Sequence, residues 1–393
     1  MITKEDAVLN IIKASLWNVR NEELVINDEI KQELCKQSID GLATVVIPES
    51  LNDKYLRAAR YTQMLSVQEN VISCIRRANI PVAVIKGTAS GIYYPIPYLR
   101  KYGDIDILVR PNDYIKTIDI LKKNDYLQSG TLGREVTTFK KNGYQIELHQ
   151  RPPGLNRVQE GAFIHNYLIS GLDNIEYASI SQPNHTFPML PWQQNGLELI
   201  WHIREHLYNG LGLRQIIDWM MFVYNCLNSD EIYGEYSEIL KNAGLDKLAI
   251  TVTRMCQLYL GLDNGITWCK NVDPEICRKL MEYILDQGNF GIKREDDKTV
   301  KVLTRYRNPI SFFIGLQRKG LTEWDAAKKH VFLKPFAWIY AFAEGINQYT
   351  RQGGLQKILL DLRENKRRRE LFNKLYEDEW EGKLTLPRKN ISQ

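Results

Sequence analysis

The spacing of apolar residues along this chain changes at Pro81. Before it, apolar residues recur at helical intervals, as Val71 and Ile75 do, and we expect helices throughout residues 1–78. Proline ends such a pattern because it lacks an N–H and clashes with the preceding helical turn. The next run, "VAVIKG" (82–87), is rich in β-branched residues and predicts a strand. The chain therefore passes from a helical region into a sheet.

Further signals predict a small mixed sheet. The segment "DIDILV" (104–109) is a second predicted strand, and "PNDYIKTIDILKKNDY" (111–126) is an amphipathic helix. The segment "TASGIYY" (88–94) could open a short helix. A hairpin is predicted over 135–150, because its Asn142-Gly143 pair favours a tight type I′ turn.

Strand signals fade beyond "RPPG" (151–154), and residues 190–290 are predicted to be mostly helical. The fold class we expect is α+β, with a small mixed β-sheet core flanked by mainly α-helical domains. The predicted regions are a helical 1–78, the sheet core 79–155, a helical 156–290 and a helical C-terminal 291–393 that begins with a charged linker, 291–303.

Composition limits the class of protein. Hydrophobic residues make up 44% of the 393, enough for a sizeable core. A net charge of +5 suits anionic substrates such as nucleotides, but does not indicate a protein devoted to nucleic acid. The six cysteines form no C-x-x-C pair, which indicates a reducing compartment. With no signal-peptide core at the start and no long apolar run, we expect a cytoplasmic protein.

Two aspartates interrupt the second predicted strand. Side chains alternate faces along a strand, so Asp104 and Asp106 point to one side while Ile105 and Ile107 point to a core. The two carboxylates, roughly 6–7 Å apart along the strand, can share a hard divalent cation such as Mg²⁺. Solvated carboxylates near a strand start are the alternative.

Two other features support the cation. In "IKGT" (85–88) a glycine ends a strand and opens a helix, offering backbone N–H groups to phosphate oxygens beside the charge of Lys86. Arg100 adds a second positive charge near the aspartates. Farther along, "YQIELH" (144–149) places Gln145, Glu147 and His149 on the polar face of a strand. Glu147 supplies a third carboxylate there.

This order of features resembles the polymerase-β-type nucleotidyltransferase superfamily, in which a glycine with Ser, Gly or Thr precedes D-x-D and a later third acid. The stretch "VIKGTASGIYYPIPYLRKYGDIDILV" (84–109) is similar to an uncharacterised bacterial nucleotidyltransferase family within it. The helical segment 202–219 also resembles that family. The third acid is usually Asp in such families, and here the position holds Glu147.

The resemblance implies an enzyme that moves an NMP from an NTP such as ATP to an acceptor hydroxyl and releases pyrophosphate. It implies that Asp104, Asp106 and Glu147 are catalytic ligands of Mg²⁺, or of Mn²⁺ in its place. The acceptor is expected to be a small molecule or protein rather than a long nucleic acid, because the net charge is near neutral.

The nucleotide contacts implied by the resemblance lie in the strand–helix turn. Lys86, Gly87 and Thr88 would hold the β- and γ-phosphates, and Arg100 is a weaker candidate. A protein that kept the fold as a nucleotide-binding or regulatory module, without turnover, is the alternative.

The segment "HIREH" (202–206) permits two further hypotheses. His202 and His206 lie at i and i+4, so they share a helix face and match the H-x-x-E-H pattern of zinc hydrolases. The family resemblance instead makes them substrate-binding residues, and the remaining alternative is an ordinary helix that carries two partly buried histidines. Arg214 and Asp218, also at i and i+4, form either a surface salt bridge or part of the same substrate pocket.

Two C-terminal segments are given structural interpretations. The basic run "RENKRRRE" (363–370) predicts a solvated helix with internal ion pairs rather than a nucleic-acid contact. The apolar run 336–346 predicts a buried helix rather than a membrane-surface one.

Overall fold

The computed structural model describes residues 3–19, 26–130, 132–133, 135–155, 158, 160–181, 184–289, 313–314, 316–317, 320–321, 324–343 and 370–375. They belong to two compact units, residues 1–293 and 294–393. The predicted linker 291–303, and all of the basic run except its last residue, lie outside the described residues. None of the helices in these ranges has the length and hydropathy that crossing a membrane requires.

In the part of the chain that the structure describes, four helices precede the sheet, as the apolar spacing predicts. They are α1 (Lys4–Trp17), α2 (Asp28–Lys36), α3 (Asp40–Ala43) and α4 (Leu51–Arg76). Polar side chains cap three of them: Thr3 accepts from the backbone N–H of Asp6, Asn27 from Ile30, and Ser50 from Asp53. Such caps satisfy N–H groups that have no acceptor inside the helix.

The first unit is built on one mixed sheet. In the described part of the chain its seven strands are β1 (Val82–Ile85), β2 (Ile105–Val109), β3 (Leu127–Ser129), β4 (Val136–Lys141), β5 (Tyr144–His149), β6 (Glu176–Ile180) and β7 (His185–Met189). Their order across the sheet is β3-β4-β5-β2-β1-β7-β6. The β2–β5 and β1–β7 pairs are parallel and the others antiparallel. The predicted mixed sheet flanked by helices is confirmed.

Helices α5 (Gly87–Gly91) and α6 (Pro111–Lys123) separate the first three strands along the chain. The strand–helix turn leads into α5, and α6 follows β2. The predicted hairpin is β4–β5, and its turn residues Asn142 and Gly143 both have positive φ, 51° and 81°. A type I′ turn requires positive φ at both central positions, which explains why this dipeptide gave a reliable signal.

One face of the sheet carries the apolar core. Ile105 and Ile107 of β2 pack there with Val84 of β1, and α4 and α6 cover them with residues such as Ile75 and Leu121. Because side chains alternate, the aspartates of β2 must face the other way. The core therefore occupies one side of the sheet and leaves the other side for polar side chains.

Helices from later in the chain complete the unit. They are α7 (Gly161–Ser170), α8 (Trp192–Asn209), α9 (Leu213–Cys226), α10 (Asp230–Asn242), α11 (Asp246–Leu260) and α12 (Pro274–Gln287). The N-terminal helices pack against them: the indole N–H of Trp17 donates to the carbonyl of Leu260 at 2.7 Å. The helical prediction for 190–290 is confirmed, whereas β6 and β7 are strands that the sequence signals missed.

The second unit is described over fewer residues. It contains α13 (Asp325–Lys329), a 3₁₀ turn (Val331–Phe336) and a helix at 337–343. The rings of Trp324 and Tyr340 stack with centroids 5.5 Å apart. Within the apolar run, Ala337 and Ala341 are buried while the larger Phe336 and Phe342 are exposed.

Candidate active site

The central strands bring three polar residues to one face of the sheet. Two of them, Asp106 and Glu147, were predicted as site residues, and His149 was not. Asp106 of β2 lies opposite Glu147 of parallel β5, and opposite Ile85 of antiparallel β1. His149 follows Glu147 by two residues, so both side chains leave the same face of β5. Strand register and side-chain alternation are therefore enough to bring Asp106, Glu147 and His149 together.

These three side chains lie within contact of one another. His149 Nε2 donates a hydrogen bond to Asp106 Oδ1 at 2.9 Å and lies 3.5 Å from Glu147 Oε2. One donor atom from each residue falls within 4.8 Å of the other two. Among the described residues no other group of three His, Cys, Asp or Glu side chains is as close. His149 is fully buried, and Glu147 is the most exposed of the three.

Lys86 reaches the same point from the end of β1. Its Nζ lies 3.5 Å from Asp106 Oδ1 and 3.6 Å from Oε1 of Glu198, a residue of α8. Its backbone has a φ of 52°, a conformation that costs a non-glycine residue roughly 1–3 kcal/mol. Helix α8 thus covers the polar face of the sheet, and Glu198 contributes a fourth carboxylate.

We call Asp104, Asp106, Glu147, Glu198, Lys86 and His149 the carboxylate cluster. Burial disfavours the charged ammonium of Lys86, but Asp106 and Glu198 outweigh it and raise its pKa. Burial would also raise the pKa of Asp106, yet Lys86 and the His149 hydrogen bond lower it below its usual range. Lys86 and Asp106 are therefore held as a charged pair.

In two other carboxylates of the cluster, Asp104 and Glu198, the charged form is disfavoured. Burial, then repulsion from Asp106 and Glu147, raises the pKa of Asp104 to about 6. Burial likewise raises the pKa of Glu198, and neither of its oxygens accepts a hydrogen bond from the described residues. Burial lowers the pKa of His149, but hydrogen bonds from its ring to Asp106 and Glu147 outweigh burial and raise that pKa above its usual value.

The donor set fits a divalent cation. Four carboxylates face one ammonium and one imidazole within the carboxylate cluster, and oxygen donors of this kind are what Mg²⁺ and Mn²⁺ bind. The elevated pKa of Asp104 is the expected result of negative charge without a matching cation. Asp106, Glu147 and His149 are the side chains that could hold the ion, with Asp104 beside them.

The strand–helix turn places the other predicted nucleotide-binding residues. Gly87 has a φ of 32°, a backbone conformation in which other residues are strained. The Thr88 hydroxyl is buried and donates to Gln68 Oε1 at 2.6 Å, so it is directed to α4 rather than to the carboxylate cluster. The backbone N–H groups of this turn are the groups that remain for a phosphate.

Arg100 lies in a separate group of charges. Its Nε and Nη2 donate to the two carboxylate oxygens of Asp218, both at 2.7 Å, and the Tyr94 hydroxyl donates to Asp218 Oδ1 at 2.7 Å. We call these three residues the Arg100 cluster. Only 5% of each charged side chain is exposed. Asp218 is therefore paired with Arg100, 118 residues away in the sequence, and this pair is buried rather than on the surface.

The remaining predicted substrate residues lie along α8 and α9. The rings of His202 and His206 meet edge to face with centroids 4.3 Å apart. Burial, followed by the charges of His206, Lys86 and Arg214, lowers the pKa of His202 well below its usual value. Arg214 donates to the carbonyl of Lys101 at 3.3 Å. Within the described residues no third ligand groups with the two histidines to complete a zinc site.

Two members of the carboxylate cluster were not predicted as site residues. His149 could have been found from strand alternation, since it lies two residues beyond Glu147 on the polar face. Glu198 precedes His202 by four residues, so helical spacing places both on one face of α8. The Arg100 cluster gave no comparable local signal.

Comparisons with known proteins bear on the family. A family described as uncharacterised nucleotidyltransferases matches residues 30–261, more than half of the chain. A solved structure, an antigenic nucleotidyltransferase-like protein from Paracoccidioides brasiliensis, aligns with 12% identity and a TM-score of 0.33, covering 51% of this chain and 93% of that one. No curated protein matches the chain. By its match over residues 30–261, the chain belongs to the uncharacterised nucleotidyltransferase family.

Proposed function

We propose that this protein is a divalent-cation-dependent nucleotidyltransferase that moves a nucleoside monophosphate from an NTP to an acceptor hydroxyl. The observation that carries the proposal is the convergence of Asp106, Glu147 and His149 on one sheet face beside Lys86. Membership of the nucleotidyltransferase family supports an NTP as the substrate. The cation we propose is Mg²⁺ or Mn²⁺.

The reaction replaces a phosphoanhydride bond of the NTP with a phosphoester bond to the acceptor. The acceptor oxygen bonds to the α-phosphorus, the bond from that phosphorus to the bridging oxygen breaks, and pyrophosphate leaves with that oxygen. The hydroxyl proton passes to solvent or a nearby base. When bound, the cation neutralises phosphate charge and makes the acceptor hydroxyl more acidic. The protein's own contribution is to position the reactants and to neutralise charge.

Each residue of the carboxylate cluster has a proposed task. Asp106 and Glu147 hold the cation, and Asp104, which is half-buried, joins them. Lys86, kept charged by Asp106 and Glu198, supplies a fixed positive charge for the phosphates. The backbone N–H groups of Gly87 and Thr88 are proposed to bind phosphate oxygens.

The residues of α8 and α9 are proposed to bind substrate. His202 is held neutral by burial and nearby positive charge, so it can donate or accept a hydrogen bond with nucleotide or acceptor. His206 and Arg214 lie beside it. Arg100 and Asp218, which we predicted as binding residues, are proposed to act indirectly, because they are buried and hydrogen-bonded to each other.

A transfer assay tests the proposal. The purified protein is incubated with each α-labelled NTP and Mg²⁺ in the presence of cell extract, and pyrophosphate release and label transfer are measured together. We expect both products with wild-type protein, and a loss of about a thousandfold in Asp106→Asn, since a positioned charge in a catalytic site contributes at that scale.

The matched control is Asp119→Asn, the same chemical change at an exposed residue of α6, which should keep wild-type activity. NTP binding without transfer to any acceptor would favour the inactive nucleotide-binding protein. Equal activity in Asp106→Asn and Asp119→Asn would contradict the proposal. Stoichiometric zinc lost in His202→Ala would revive the hydrolase.

A further inference from the structure

The carboxylate cluster contains one nitrogen donor among its oxygen donors. His149 Nε2 lies between the two carboxylates proposed to hold the cation, 2.9 Å from Asp106 and 3.5 Å from Glu147. Adjacent ligands of a six-coordinate dication with bonds of about 2.1 Å are about 3 Å apart. The Asp106 distance matches that spacing, and the Glu147 distance exceeds it by about 0.5 Å. One donor atom from each of the three residues lies within 4.8 Å of the others, so one ion can bridge them after small side-chain shifts.

The ring can present only one nitrogen to that point. Nδ1 of His149 is buried and has no hydrogen-bond partner among the described residues, whereas Nε2 faces both carboxylates. Nε2 is therefore the ring nitrogen placed to bond a metal ion there. The side chain is fixed by a central strand and is fully buried, so little conformational freedom is lost on binding.

We propose that His149 is a direct nitrogen ligand of the divalent cation held by Asp106 and Glu147, and that the site therefore prefers a transition-metal dication such as Mn²⁺ to Mg²⁺. The inference rests on the proposed function in taking the two carboxylates as cation ligands. Imidazole nitrogen binds transition-metal dications better than it binds the hard Mg²⁺ ion, which favours oxygen.

The rival explanation assigns His149 a different task. A protonated ring would serve as a permanent counter-charge to Asp106 and Glu147 and would contact no metal. The two explanations predict different spectra, because a nitrogen bonded to Mn²⁺ couples to its unpaired electrons and a nitrogen outside the coordination sphere does not.

The test uses Mn²⁺ alone as the probe on the full chain. Binding is measured by electron paramagnetic resonance and the coordination sphere by electron spin-echo modulation. We expect one Mn²⁺ site with ¹⁴N modulation, and replacement of that pattern by the ¹⁵N pattern when the protein is made with ¹⁵N-histidine. Isotopic substitution leaves the fold unchanged, so this readout does not depend on a variant folding correctly.

Variants then assign the nitrogen to a residue. His149→Gln should lose the modulation and weaken Mn²⁺ binding by about tenfold or more, while His165→Gln, a partly buried histidine of α7 outside the cluster, should keep both. His149→Asp, which replaces nitrogen with oxygen, should shift the competition between Mn²⁺ and Mg²⁺ towards Mg²⁺.

The possible failures are distinguishable. Mn²⁺ that binds, is lost in Asp106→Asn and shows no histidine modulation would overturn the role of His149 and leave the proposed function standing. Modulation that persists in His149→Gln would also overturn it. Absence of Mn²⁺ binding, or binding unaffected by Asp106→Asn, would overturn both this inference and the cation site of the proposed function.

Discussion

The carboxylate cluster and the Arg100 cluster are both buried groups of charges in the first unit, but they differ in how their charges are matched. In the Arg100 cluster one guanidinium meets one carboxylate through two hydrogen bonds of 2.7 Å, and Tyr94 adds a third. In the carboxylate cluster three of the four carboxylates, those of Asp106, Glu147 and Glu198, lie 2.9–3.6 Å from Lys86 or His149.

This difference separates two uses of buried charge. A matched pair can fix the position of α9 against the segment before β2, because both carboxylate oxygens of Asp218 already accept hydrogen bonds from Arg100. An excess of carboxylates costs stability in the empty protein but supplies free oxygen donors. The first arrangement is suited to holding a structure together, and the second to binding a cation.

The largest effect we expect on stability is in the Arg100 cluster. Asp218→Asn leaves the guanidinium of Arg100 buried without a carboxylate, and such losses cost about 3–5 kcal/mol. Urea unfolding followed by tryptophan fluorescence measures it. The double variant Arg100→Met with Asp218→Leu should recover part of the loss, because no unpaired charge remains. A change below about 1 kcal/mol in the single variant would show that the pair is not structural.

A smaller loss is expected from Tyr94→Phe. The change removes the hydroxyl that donates to Asp218 Oδ1 but leaves Arg100 in place. A buried hydrogen bond to a charged group contributes about 2 kcal/mol, and the same unfolding measurement should detect it. If Tyr94→Phe is neutral, the Arg100–Asp218 pair alone fixes α9.

Replacement of Asp104 is expected to increase the free energy of unfolding, unlike the two substitutions above. Its folded pKa of about 6 lies above the unfolded value of about 3.9, so the folded state binds the proton more tightly. The free energy of unfolding therefore falls as pH rises through this window and stays lower above it. Asp104→Asn should stabilise the metal-free protein near pH 7 by about 1–2 kcal/mol, a figure reduced for solvent screening because Asp104 is half-buried.

The pH dependence provides the check on that result. Near pH 4 the gain from Asp104→Asn should vanish, because the aspartate is then protonated in the folded state. Asp119→Asn, the exposed control, should show no gain at either pH. A gain that is equal at pH 4 and pH 7 would contradict a charge-based explanation.

The smallest effect is expected at Glu198. Glu198→Gln removes the ion pair with Lys86 at 3.6 Å but also removes the cost of burying a carboxylate that accepts no hydrogen bond from the described residues. These two effects oppose each other, so the free energy of unfolding should change by less than about 1 kcal/mol. A loss as large as that of Asp218→Asn would mean that the two clusters do not differ in the way we describe.

Sequence patterns predicted the features that depend on local periodicity. Strands β1 and β2 are short β-branched runs, and Asn142-Gly143 marks the hairpin. Strands β6 and β7 were missed because "EYASI" and "HTFPM" are short and weakly alternating, and Pro188 argues against a central strand. Pro188 is tolerated because the β1–β7 pairing involves only Val84 and Met189.

The same distinction applies to the site. Asp106 and Glu147 were predicted to share a face, and their direct opposition across β2 and β5 follows from strand register. The pairing of Arg100 with Asp218 joins residues 118 positions apart, which no local spacing encodes. The direction of the Thr88 hydroxyl towards Gln68 also depends on how α4 packs, so the sequence could not separate it from a phosphate contact.

Nucleotide binding by calorimetry tests the central claim most directly, with non-hydrolysable analogues of the four NTPs in the presence and absence of Mg²⁺ or Mn²⁺. At least one analogue should bind to the wild type and to Asp119→Asn only when the cation is present, and about tenfold or more weakly to Asp106→Asn. Failure of every analogue to bind with cation present, or equal affinity with and without cation in the wild type and in Asp106→Asn, would contradict the assignment of the carboxylate cluster as a cation and nucleotide site.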